Sequence, residues 1–238
     1  MSHPTGYNDG QLQLQRSRLT LQQSEAVADG CPTGALTLCG KALDIDAIMA
    51  EVMRDHAFYL RSGGGLTISG GEPFMQPDVV AQLLKRSKQA ALHTAVESSL
   101  HVPWRSISCA LPWLDLMLAD LKHVDAARFK QWTQGSLARV LDNFRRLAAS
   151  NTHVIVRVPL IPDFNADRDS VRAIIDFVAN ETNASDIHFL PYHTLGIHKY
   201  ALLDRPYTAA RTPLDDPELL AFAQEYACRQ GLTALLRG

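Results

Sequence analysis

The stretch Gly63-Gly64-Gly65-Leu66-Thr67-Ile68-Ser69-Gly70-Gly71-Glu72-Pro73 places a short apolar and β-branched run between glycines and ends it in a carboxylate and a proline. It reads as a strand that opens into a binding loop. The glycines let a ligand approach bare backbone N–H and C=O groups, Glu72 offers an acceptor to a cation, and Pro73 begins the next turn. A polar or zwitterionic ligand suits such a loop.

Downstream of this stretch, apolar runs alternate with segments of helical period. Leu66 to Ser69, His93 to Glu97, Leu116 to Leu121, Val154 to Ile161, Ile187 to Pro191 and Leu232 to Leu236 read as strands. Between them Pro77 to Ala90, Asp125 to Thr133, Leu137 to Ala149, Asp167 to Asn180 and Asp215 to Gln230 read as helices. Nearly continuous apolar strands alternating with helices imply an α/β fold with a parallel sheet buried on both faces. Upstream, Asp44 to Leu60 looks helical, whereas Met1 to Ser24 is rich in Gln and Ser, with little periodicity, and reads as loose or extended. The expected organisation is an N-terminal appendage over residues 1–43 and a main domain over residues 44–238.

Bulk composition narrows the function. With 238 residues and 46% hydrophobic content the chain can bury a substantial core. Its 23 basic and 25 acidic residues give a net charge of −2, so no global field recruits nucleic acid or an anionic membrane. The longest apolar segment, Cys109 to Ala119, is interrupted by Asp115, and the first thirty residues are polar; a cytoplasmic protein is expected. Four widely spaced cysteines, Cys31, Cys39, Cys109 and Cys228, do not form a secreted disulfide framework. Cys109 and Cys228 are expected to be core thiols, since free cysteine is among the most buried residue types.

Polar residues collect where strands end: Ser69-Gly70-Gly71-Glu72, Glu97-Ser98-Ser99, Asp120-Leu121-Lys122-His123, Arg157 and Tyr192-His193. In parallel α/β proteins that edge is the active one. Taken singly, each has a plain reading: a tight turn at Gly70-Gly71, a solvated pair at Asp120 and Lys122, a salt bridge at Arg157, a satisfied core histidine at His193. Their joint placement argues for a site.

Three segments carry a more specific signal: Gly63 to Pro73, Ala119-Asp120-Leu121-Lys122-His123, and Leu190-Pro191-Tyr192-His193-Thr194-Leu195-Gly196-Ile197-His198-Lys199-Tyr200. In this order and spacing they closely resemble the activating enzymes of glycyl radical enzymes, radical SAM proteins typified by the pyruvate formate-lyase activating enzyme. The resemblance runs over roughly residues 25 to 238. It implies an incomplete (β/α) barrel of the radical SAM type with its first strand missing, open beside Leu66 to Ser69 or partly covered by Gln11 to Leu21. It also implies that Gly70, Gly71 and Glu72 hold the amino group of S-adenosylmethionine, that Lys122 of Asp120-Leu121-Lys122 and Arg157 face its carboxylate, and that His193 lies near ribose and adenine. Glu97 falls where relatives carry an acidic residue followed by Thr-Asn-Gly or similar, and here the text is Glu97-Ser98-Ser99-Leu100.

The resemblance further implies a [4Fe-4S] cluster bound through C-x-x-x-C-x-x-C, which is missing from this sequence; Cys31 and Cys39 stand eight residues apart. Cys31-Pro32-Thr33-Gly34 resembles the end of a ferredoxin half-motif, which makes Cys31 the last ligand of a shortened ferredoxin-like insert. One cysteine cannot hold a cluster unaided, so as it stands the thiol reads as free. The expectation is therefore a truncated form of an enzyme that cleaves S-adenosylmethionine reductively to a 5′-deoxyadenosyl radical and abstracts hydrogen from a glycine of a partner glycyl radical enzyme. Its electron donor would be a flavodoxin or ferredoxin. The alternatives are a cluster-less module that binds S-adenosylmethionine or the partner protein, and, behind it, a metal-dependent barrel enzyme using Glu72, Glu97, Asp120 and His193.

Overall fold

The computed structural model describes residues 5–8, 11–14, 18–40, 42–203 and 205–236. In chain order the elements are β1 (Thr5–Asn8), β2 (Gln11–Leu14), α1 (Leu21–Asp29), α2 (Ile45–Met53), α3 (His56–Ser62), β3 (Gly65–Ile68), α4 (Pro77–Gln89), β4 (His93–Ser98), α5 (Trp104–Ser108) and β5 (Leu116–Asp120). They continue with α6 (Ala126–Thr133), α7 (Leu137–Ala148), β6 (His153–Leu160), α8 (Arg168–Glu181), β7 (Asp186–Pro191), α9 (Ile197–Leu202), α10 (Pro217–Arg229) and β8 (Thr233–Leu236). Two compact units result, one of residues 1–44 and 195–208, the other of residues 45–194 and 209–238.

In the larger unit β3 to β8 form one parallel sheet in sequential order, with β3 and β8 at its edges. All six expected strands are present. Their alternation decides which face packs: Met117 and Ala119 of β5, Val154, Val156, Val158 and Leu160 of β6, and Ile187 and Phe189 of β7 are buried. They join one core with Leu137, Val140, Phe144 and Leu147 of α7 and Val171, Ile174, Ile175 and Val178 of α8. The spacing of those helical residues puts them on one stripe of each helix. Side chains of opposite parity, including Glu97, Leu118, Asp120, Ile155 and Arg157, line the other face and stay partly accessible.

Helix starts follow local chemistry. Asp125, Asp167 and Asp216 each accept a backbone N–H three residues on and so cap α6, α8 and α10. The β3–β4 pairing needs a glycine at 65, because a Cβ there would lie 2.0 Å from the carbonyl oxygen of His93.

Three expectations are corrected. The region 44–60 is two helices, α2 and α3, separated at Arg54 and Asp55. The polar N-terminal region is more ordered than a loose segment: β1 and β2 pair as an antiparallel hairpin, and α1 starts with a capping box in which Thr20 Oγ1 accepts from Gln23 N and Gln23 Oε1 accepts from Thr20 N. Residues 1–4, 9–10 and 15–17 of that region lie outside the described residues. Cys109 and Cys228 are exposed rather than core thiols. Cys109 sits at the end of α5, and on α10 the buried stripe is Leu219, Ala223 and Ala227, which turns Cys228 about 100° outward.

Candidate functional site

The carboxyl ends of β3, β4, β5 and β6 carry a connected set of charged and hydroxyl groups. After β3 the chain turns through Gly70, whose φ of +124° suits only glycine, into Gly71 and Glu72. A Cβ at Gly70 or Gly71 would meet nothing within 4 Å, so open space lies beside both. No internal contact requires the small residue at 71; the loop reserves room.

Glu72 ties that loop to the next strand end. Its Oε1 accepts from Ser98 Oγ at 2.8 Å and Phe74 N at 3.4 Å, and its Oε2 accepts from Ser99 N at 3.0 Å and Ser99 Oγ at 2.6 Å. Four donors occupy the lone-pair directions of the carboxylate. Glu72 is thus a brace between the glycine loop and the end of β4. Next to the brace, Leu100 holds a left-handed φ of 56°, which costs a non-glycine residue about 1–2 kcal/mol. Leu100 N donates to Ser98 Oγ, and Asn143 Nδ2 donates to both Leu100 O and Val102 O at 2.8 Å, which holds the turn.

The charged centre lies on adjacent strands. Arg157 Nη1 pairs with Glu97 Oε2 at 2.9 Å and its Nε lies 3.8 Å from Asp120 Oδ1, while Lys122 Nζ lies 3.3 Å from Asp120 Oδ2. Register produces this, since Asp120 is the Cα partner of Arg157 and both point off the same face. Ser69 Oγ adds a 3.4 Å bond to Glu97. Burial pushes the Asp120 carboxyl above the ordinary carboxylate range, opposed by the Lys122 and Arg157 cations. Its Oδ1 is a buried oxygen with no hydrogen-bond partner. An orphan buried acceptor calls for an explanation, and the two adjacent cations place this one in a charged centre rather than in the apolar core.

The loop after β5 is held from behind. Leu121 is buried, and its N–H donates to Arg157 O. Asp120 and Lys122 also line a cleft of about 310 Å³ with Ser99, His101, Phe129 and Thr133. Burial and the nearby Arg139 lower the basicity of His101, whose Nε2 accepts from Ser136 N. His193 follows β7 and is exposed, so the reading as a core histidine does not hold. His188, missed in the sequence, is the Cα partner of Arg157 on β7 and shares its face. The only signal for it was its parity with Leu190 along the strand.

Cys31 lies in the smaller unit. Its Sγ is 3.6 Å from Thr33 Oγ1 and accepts from Leu36 N at 3.4 Å, and those bonds lower the thiol pKa to about 7. No group of three or more His, Cys, Asp or Glu side chains placed to hold a metal occurs among the described residues, and no three thiols gather for an iron–sulfur cluster.

A parallel strand edge with a glycine turn, an orphan carboxylate oxygen and two cations is the candidate ligand site of this α/β sheet. Comparison with known proteins specifies it further. No family model matches the chain. The chain is 36% identical over 204 residues to the (2S)-3-sulfopropanediol dehydratase activating enzyme of Klebsiella oxytoca, covering 82% of this chain and 64% of that protein. It is 41% identical over 187 residues to the isethionate sulfite-lyase activating enzyme of Nitratidesulfovibrio vulgaris, covering 78% and 60%. With the pyruvate formate-lyase 2-activating enzyme of Escherichia coli it shares 35% over 211 residues, covering 89% and 72%. A solved domain of a pyruvate-formate lyase-activating enzyme from Bacteroides vulgatus superposes with a TM-score of 0.62 at 26% identity, covering 74% of this chain and all of that one. Streptococcus suis SuiB bound to S-adenosylmethionine shares the fold, with a TM-score of 0.66 at 13% identity over 85% of this chain and 45% of that one. The chain belongs to the activating enzymes of glycyl radical enzymes, and its sheet is a partial (β/α) barrel of the radical SAM type. It spans 64% and 60% of the length of the first two relatives.

Proposed function

We propose that this chain carries the S-adenosylmethionine-binding strand edge of a glycyl-radical-enzyme activating enzyme. The observation that carries the reading is a pair of cations, Lys122 and Arg157, beside Asp120 on the same strand edge as a glycine turn with open space next to it. A zwitterion fits this polarity. Its ammonium group goes to the carbonyls of Gly70 and Gly71 under the field of Glu72, and its carboxylate to Lys122 and Arg157, which exchange part of their pairing with Asp120 and Glu97 for the ligand. Leu121 anchors the loop, and His193 offers a ring to the sugar or base.

Family membership supports the activity: one-electron cleavage of S-adenosylmethionine and removal of a hydrogen atom from a backbone glycine of a partner glycyl radical enzyme, with a flavodoxin or ferredoxin as electron donor. In such enzymes a [4Fe-4S] cluster supplies the electron. The cysteines of this chain do not fit a cluster, so its residues are assigned binding and orientation only. Residues 1–43 are read as the remnant of a ferredoxin-like insert, with Cys31 as its last ligand, and residues 44–238 as the partial barrel domain. A cytoplasmic setting accords with the reading, and among the described residues no helix is long and apolar enough to cross a membrane.

The test is anaerobic. The gene product, including any in-frame upstream sequence, is reconstituted with iron and sulfide, reduced, and given S-adenosylmethionine and a candidate partner. The expected result is 5′-deoxyadenosine together with a glycyl-radical signal in electron paramagnetic resonance. Saturable S-adenosylmethionine binding without 5′-deoxyadenosine would overturn the enzymatic reading in favour of a binding module.

A further inference from the structure

Lys122 follows the end of β5, and two buried side chains hold the backbone at its carbonyl and just beyond it. Asn165, fully buried in the loop after β6, donates through Nδ2 to Lys122 O at 2.7 Å and to Pro159 O at 2.8 Å. Its Oδ1 accepts from Ile161 N at 2.7 Å. One side chain therefore spends its hydrogen-bonding capacity on joining the β5 loop to the end of β6. His123, 3% exposed, takes the other side: its Nδ1 accepts from Val124 N at 2.9 Å and Asp125 N at 3.0 Å. An acceptor at Nδ1 places the ring proton on Nε2, which faces Ser170 Oγ at 3.4 Å. Ser170 Oγ donates in turn to Asp167 Oδ2 at 2.8 Å, and Arg128 bonds both residues. The His123 ring also packs on Phe164, which stacks on Trp132.

Helix capping alone does not account for this arrangement, because Asp125 already caps α6 and Asp167 already caps α8. Asn165 holds the carbonyl of Lys122, and His123 holds the two amides that follow its own. We propose that they are positioning residues for Lys122: together they fix the main chain at and just after it, so that the ammonium group stands beside Asp120, ready for the carboxylate of the bound zwitterion. A lysine has four rotatable bonds, and holding its Cα leaves fewer ways for the head group to miss. The inference rests on the S-adenosylmethionine reading above and adds two residues to it.

The test is a set of S-adenosylmethionine titrations by calorimetry on the full chain, run well below each variant's unfolding midpoint. Asn165→Ala and His123→Leu are each expected to weaken binding about tenfold, the loss typical of a bond that orients a charged group. His123→Asn keeps an acceptor within reach of the same N–H groups and is expected to restore most of the affinity that His123→Leu loses. The same changes in a Lys122→Met background are expected to shift affinity less than about twofold, since residues acting through one partner are not additive. Equal losses in both backgrounds, or no loss with Lys122 present, would overturn the inference while leaving the binding site intact. Absence of saturable binding by the unmodified chain would overturn the S-adenosylmethionine reading itself. If Asn165→Ala does not fold, the His123 pair decides alone.

Discussion

Asp120 concentrates the chemistry of the strand edge in one residue. Because burial raises its folded-state pKa, the unfolded chain loses this proton first as pH rises, so the native state is weakened through the window that opens at the ordinary carboxylate range and closes at the raised value. Asp120→Asn removes that dependence. Its stability relative to the natural chain is expected to improve from pH 3 to pH 7, as measured by urea unfolding at both values; a constant difference would contradict the assignment. Cys31 shows the opposite tuning, a thiol lowered to about 7 chiefly by Thr33. Iodoacetamide is expected to alkylate Cys31 with a midpoint near pH 7, and Thr33→Val is expected to slow the reaction at that pH. A midpoint in the ordinary thiol range would refute it.

At the scale of elements, the turn after β4 sets Leu100 in the left-handed backbone that a glycine would favour. Burial of the Leu100 side chain and the two Asn143 bonds offset the strain. Asn143→Ala leaves two carbonyls unpaired in the interior and is expected to cost about 1–3 kcal/mol by chemical denaturation. It is also expected to loosen the Ser98 and Ser99 brace on Glu72, seen as faster amide exchange at Ser99. A loss below about 0.5 kcal/mol, the scale of a surface change, would show that the turn holds itself.

At the scale of the whole chain, the sheet was legible because strands buried by helices on one face and half-covered on the other read as apolar runs, from Leu116 and Val154 to Ile187. The strand-end charges were legible for a related reason: Glu97, Asp120 and Arg157 interrupt apolar runs where nothing structural asks for them. The supports were not legible. Ser98 reaches back 26 residues to Glu72 and Asn165 reaches 43 to Lys122, and such pairings depend on register and loop shape rather than on local pattern. Of the two misread cysteines, Cys228 follows the buried Ala227 on α10 and so cannot share its face, and Cys109 lies just past the end of α5. The helix α1 was passed over although Thr20-Leu21-Gln22-Gln23 carries a capping box, because its faces are too polar to show a stripe.

The central claim is that the open space beside the glycine turn belongs to S-adenosylmethionine, and Gly71→Ala addresses it directly. The added Cβ meets no protein atom within 4 Å, so the variant is expected to unfold within about 0.5 kcal/mol of the natural chain. In equilibrium dialysis with labelled S-adenosylmethionine, the natural chain is expected to bind at one saturable site and Gly71→Ala at least about tenfold more weakly, as for a methyl group placed in ligand space. Binding of equal strength by both proteins, or by neither, would contradict the account.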